Sequence, residues 1–85
     1  YEVPIIEGAQ DTLKKTNLLI IETYNYKLCN GCLKYYEMCE YLSDLGFSSV
    51  EIVDLLHRKK DLSLWQMDIF FIPSTSNEFL STTYD

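Results

Sequence analysis

Apolar positions come in short blocks along this chain, and each block ends at a turn-forming or charged residue. The first, Val3-Pro4-Ile5-Ile6, predicts a strand that begins at its proline or lies at a sheet edge, because proline brings no ladder donor. Residues 9–16 suit a short helix, with Asp11 in the first turn and Lys14-Lys15 in the last, as the helix dipole prefers. Leu18-Leu19-Ile20-Ile21 follows as an unbroken apolar run, the pattern of a strand covered on both faces in a parallel sheet. Residues 24–31 form a polar, tyrosine-rich loop.

The clearest helix is predicted over residues 33–45. Tyr35, Met38, Cys39, Leu42 and Leu45 form one apolar stripe, with Lys34, Glu37 and Asp44 on the other side. Gly46 stands where a left-handed terminating residue belongs, and Phe47 can pack back on the last turn. Residues 50–56 read as a third strand, and His57-Arg58-Lys59-Lys60-Asp61 as a charged turn. Met67-Asp68-Ile69-Phe70-Phe71-Ile72 reads as a fourth strand, with Trp65 in the return arm of an antiparallel hairpin. The order strand, helix, strand, helix, strand, strand implies an α/β domain over residues 1–73: parallel strands, a terminal antiparallel hairpin, and helices on the sheet faces. Residues 74–85, rich in serine and threonine, are expected to form a flexible tail.

Eighty-five residues limit the chain to one small domain. Seven basic against thirteen acidic residues give a net charge of −6, which disfavours nucleic acid and anionic membranes as partners. The runs at 18–21 and 69–72 hold four apolar residues each, against about 20 for a membrane-spanning helix. The chain opens at Tyr1, with neither an initiator methionine nor a signal-peptide pattern, and reads as a processed product or fragment. Three cysteines are an odd and sparse set for a secreted scaffold, so a cytoplasmic setting is expected.

Cys29-Asn30-Gly31-Cys32 carries the most specific local chemistry. It follows a strand and opens a helix, as does the redox pair of a thioredoxin-like protein. That chemistry needs a thiolate near a helix N-terminus and a resolving thiol in reach, although no proline precedes a later strand to face the pair. A zinc site would recruit Cys39 and His57, but these do not form the second close ligand pair of such sites, so no metal is expected. Glu7, Gly8 and Glu22 fall at the predicted ends of neighbouring strands, where open parallel sheets bind ligands; the alternative is that Glu7 caps a helix and Glu22 is solvated. The glycines at 8, 31 and 46 are isolated, so no phosphate loop is present.

Several segments together resemble the C-terminal part of the FkbM-like S-adenosylmethionine-dependent methyltransferases. Ile5-Ile6-Glu7-Gly8-Ala9-Gln10 is similar to the family's strand end, followed by Leu13-Lys14, the strand ending at Glu22, and Leu45-Gly46-Phe47. Asp61, then Leu64-Trp65-Gln66-Met67-Asp68, is similar to its terminal hairpin. The resemblance implies the C-terminal half of a Rossmann-like sheet from an O-methyltransferase acting on a small acceptor such as a sugar hydroxyl. It implies S-adenosylmethionine for the complete enzyme and none for this chain alone, which lacks the cofactor-binding half. Glu7 and Glu22 carry over as weak catalytic candidates and Gly8 as a cofactor-binding one, while Ile5 and Gln10 replace acids of the family pattern. The chain alone is then expected to be inactive and to pair with its missing half, or with itself, through an open sheet edge. Two alternatives stand beside this reading: a thiol-redox module using Cys29 and Cys32, and a non-catalytic remnant that associates through that edge.

Overall fold

The computed structural model describes residues 6, 9–13 and 15–85. Glu7, Gly8 and nearly all of the predicted first strand lie outside them, and Ile6, the part that is described, is helical and buried. The helix predicted over residues 9–16 is a single turn, α1 (Gln10–Leu13), extended by Lys15 and Thr16 amides bonding back to Thr12 and Leu13. Three strands follow, β1 (Leu19–Tyr24), β2 (Phe47–His57) and β3 (Leu64–Pro73), with α2 (Tyr35–Asp44) between the first two.

Helix α2 forms where the apolar stripe predicts it. The Lys34 amide donates to Glu37 Oε1 at 2.9 Å, which satisfies one orphan donor of the first turn and sets an acid near the positive end of the dipole. At the other end Leu45 and Gly46 amides return to the Leu42 and Ser43 carbonyls, and Gly46 adopts φ 92°. A side chain at that φ would be strained, so this stop depends on glycine.

The sheet departs from the predicted α/β arrangement. Its order is β1-β3-β2, and β3 is antiparallel to both neighbours. No parallel ladder exists among the described residues. The hairpin β2–β3 folds where the charged turn predicts it, but β1 then pairs with the outer side of β3 rather than with a parallel neighbour. What the chain builds is a small three-stranded antiparallel sheet with one substantial helix, and not half of a Rossmann-like sheet.

Burial follows from this single-sided arrangement. Ile21 on β1 and Met67, Ile69 and Phe71 on β3 face Met38 and Leu42 of α2, and Ile6, Leu13 and Phe47 close the cluster. Each such side chain contributes about 1.5–3 kcal/mol when fully buried. Thr23 is buried among them, and its hydroxyl donates to the Met67 carbonyl at 3.0 Å, which removes the cost of burying a polar group. The run at 18–21 is therefore covered on one face only: Ile21 is 8% exposed and Ile20 56%. The molecule is a slab of 41 × 38 × 16 Å.

Strand β2 is irregular. Its pairing slips between Ser49 and Glu51 and again between Val53 and His57, and Asp54 takes φ 56°. Aspartate tolerates that region better than most residues, and a bulge kinks and twists the strand that carries it. Val50, Ile52, Leu55 and Leu56 are left about half exposed. Past β3, Ser74 is tied to Gly46 and Ser48, and a 3-10 turn covers Asn77–Phe79. No helix among the described residues is long and apolar enough to cross a membrane.

Candidate functional site

The candidate site is the loop between β1 and α2. It leaves the sheet under restraint: the Asn25 amide donates to the Trp65 carbonyl at 3.0 Å, one residue beyond the end of β1. Tyr26 then packs on Trp65 with ring centroids 5.5 Å apart, and its hydroxyl shares a 2.6 Å hydrogen bond with Ser63. The Arg58 guanidinium lies 4.4 Å from the centre of the same ring, a cation–π contact. Tyr24 meets Trp65 edge-on from the strand side. The hairpin turn thus holds the loop at Tyr26, three residues before the first cysteine.

Beyond that anchor the chain is exposed from Lys27 to Gly31. Cys29 and Cys32 are joined in a disulfide, with Cα atoms 5.3 Å apart. The Cys32 amide donates to the Cys29 carbonyl at 3.2 Å, and Gly31 takes φ 80°. A four-residue turn with a positive φ at its third position brings its first and last residues within disulfide reach, and glycine is the residue that adopts that φ without strain. The sequence Cys-Asn-Gly-Cys therefore builds its own pairing geometry. Lys27, on the near side of the turn, reaches Glu37 of α2 at 3.8 Å and ties the loop to the helix.

The pair does not open the helix as its sequence context predicts. The N-cap is Lys34, two residues beyond Cys32. The dipole acts within the first turn, so it supplies neither sulfur with the thiolate stabilisation of a helix N-terminal cysteine. Nor does a cis peptide bond occur among the described residues. Cys39, the remaining cysteine, sits on α2 against the core, where burial pushes its thiol pKa up and favours the unreactive protonated form. His57 is exposed at the end of β2, opposite Leu64. Cys39 and His57 do not join the disulfide pair, and no group of three or more His, Cys, Asp or Glu side chains among the described residues could hold a metal ion.

Glu22 lies within β1 rather than at its end, exposed, accepting a hydrogen bond from the Tyr24 hydroxyl and standing opposite Asp68. Glu7 and Gly8, its predicted companions, fall outside the described residues. Local pattern places Trp65 and Arg58 in the hairpin but does not connect them to Tyr26 or Ser63. Tyr26 and Ser63 are 37 positions apart and meet only once β3 has paired with β1.

No family model, curated protein or solved structure matches this chain. The methyltransferase resemblance therefore has no support. The sheet argues against it as well: S-adenosylmethionine sites of the implied kind use a crevice at the carboxyl ends of adjacent parallel strands, and here every hydrogen-bonded neighbour points the opposite way. The residues present do not fit that cofactor, and neither the cofactor nor methyl transfer follows from this structure.

Proposed function

We propose that Cys29 and Cys32 form a thiol–disulfide exchange site that cycles between disulfide and dithiol. The disulfide itself, closed within an exposed turn, is the observation that carries this reading. A substrate thiolate attacks Sγ of Cys29, the more exposed of the two; the electron pair of the broken S–S bond passes to Sγ of Cys32, which takes up a proton. The substrate's second thiolate then attacks its own sulfur in the mixed disulfide and releases Cys29, which is protonated in turn. Two electrons and two protons move from the substrate dithiol to the chain, and the substrate leaves as a disulfide. A cytoplasmic setting belongs to the same proposal, because disulfides that form there are usually catalytic or redox-sensing.

Equilibration in glutathione buffers of graded ratio, followed by alkylation and mass measurement, tests this. The expected result is reversible, concerted loss of Cys29 and Cys32 modification as the buffer becomes oxidising, with Cys39 unaffected and Cys29→Ser abolishing the transition. A pair that stays oxidised in every glutathione ratio, or that exchanges no faster than oxidised glutathione itself, overturns the reading and leaves a structural staple.

A further inference from the structure

The sheet face opposite α2 has no cover among the described residues. Its side chains follow from the register. Ile20 of β1, Phe70 of β3 and Glu51 of β2 lie in one row across the sheet, and Glu22, Asp68 and Val53 lie in the next. Ile72 extends the apolar end beside Ser48. Ile20 is more than half exposed and Phe70, Ile72 and Val53 are partly so, an apolar strip set among carboxylates.

Charge narrows what that layer can be. The three strands carry Glu22, Glu51, Asp54 and Asp68 and contain neither lysine nor arginine. Glu22 and Asp68 are directly opposite each other across an antiparallel pair, an arrangement that destabilises the sheet unless a cation lies near both. Neither takes part in an ion pair within the described residues; those found are Lys27 with Glu37 of α2 and Arg58 with Asp61 in the β2–β3 turn. A second copy of this chain would have to present the same face across a two-fold axis, which sets carboxylates against carboxylates as water is removed.

We infer that this face binds a cationic amphipathic helix, its apolar side on Ile20, Phe70 and Ile72 and its lysines or arginines over Glu22, Asp68 and Glu51. The dimensions agree. A ten-residue strand such as β3 spans about 33 Å, and a helix of about 18 residues spans about 27 Å. Lysine and arginine also suit the rim because their methylene stems cover apolar surface while the charged ends reach the carboxylates.

The test uses a fluorescent synthetic helix of about 18 residues with leucines on one face and lysines on the other, titrated with the full chain and read by anisotropy. A control helix carries glutamates in place of the lysines. The expected result is binding of the lysine helix alone, weakened about tenfold or more by the pair Ile20→Ser, Ile72→Ser. Because an acidic protein attracts any cationic peptide, Glu22→Gln with Asp68→Asn is compared with Glu40→Gln with Asp44→Asn on exposed positions of α2, which changes net charge equally. Only the first pair is expected to weaken binding. Equal loss from both pairs, equal binding of the glutamate helix, or a dimer of the free chain that the serine variants dissociate would each overturn the inference, the last by making a second copy the occupant. Ile20 and Ile72 lie outside the buried core, and circular dichroism of each variant separates lost binding from lost folding.

Discussion

Asp61 holds the β2–β3 turn from several sides at once. Its carboxylate accepts from Arg58 Nε at 2.9 Å and Arg58 Nη2 at 2.8 Å, and from the amide and hydroxyl of Ser63 at 3.0 and 2.7 Å. Planar guanidinium and carboxylate meet through two parallel bonds, the strong form of this contact. Hydrogen bonds from Arg58 and then Ser63 hold the Asp61 pKa far below the ordinary aspartate range. A depressed acid stabilises the fold fully above its unfolded pKa, and that contribution fades as pH falls below that value towards the folded one. Asp61→Asn is therefore expected to lower stability near neutrality and to flatten the acid side of the stability profile. Urea midpoints at a series of pH values check it; an unchanged acid limb in the variant means that Asp61 contributes nothing there. The effect extends beyond the turn, because Arg58 and Ser63 also hold Tyr26 and so the start of the disulfide loop.

At the scale of elements, the helix stop at Gly46 separates backbone from packing. A Cβ built there meets nothing within 4 Å, so Gly46→Ala adds strain without a clash. The expected cost is about 1–2 kcal/mol, the penalty for an L-residue in left-handed backbone, measurable by urea unfolding. The disulfide is expected to matter less to folding than to chemistry. It closes a turn of four residues, for which the loop-entropy estimate is about 2 kcal/mol. Reduction should leave the far-ultraviolet circular dichroism intact and lower the urea midpoint only modestly; a collapse of the sheet signal would show the bond to be a structural requirement. Helix α2, its Gly46 stop and the Cys29–Cys32 pair were legible in the sequence because each is encoded within a few neighbouring residues. Sheet order was not. The run at 18–21 has the composition of a two-sided strand, yet which neighbour β1 takes depends on a strand more than forty residues away. Nor can local spacing show that α2 begins at Tyr35 rather than at residue 33, which leaves Cys32 beyond the reach of its dipole. The family resemblance rested on the same local features and inherited the same blindness to topology.

The whole molecule stands on one core. Among the described residues the sheet, α2 and a short N-terminal turn bury one cluster between two layers, and a domain of 85 residues holds only about 4–13 kcal/mol of net stability. Two neighbouring isoleucines report this directly. Ile21 points into the cluster and Ile20 to the uncovered face. Ile21→Ala removes buried methylene and methyl groups and leaves a cavity against Leu42 and Ile69, at an expected cost of about 2–5 kcal/mol, a large share of the total. Ile20→Ala removes atoms already in contact with water and should fall within about 1 kcal/mol, part of it from lost β-propensity. Paired urea titrations of the two variants give the comparison. Equal losses would mean that a second layer covers the outer face in the free chain, through residues outside the described set or through another copy. A large loss at Ile21 beside a small one at Ile20 means that the sheet is closed on one side only. The binding energy of any helix laid on the other face would then add to fold stability by mass action, so the midpoint of the free chain should rise with the concentration of such a ligand.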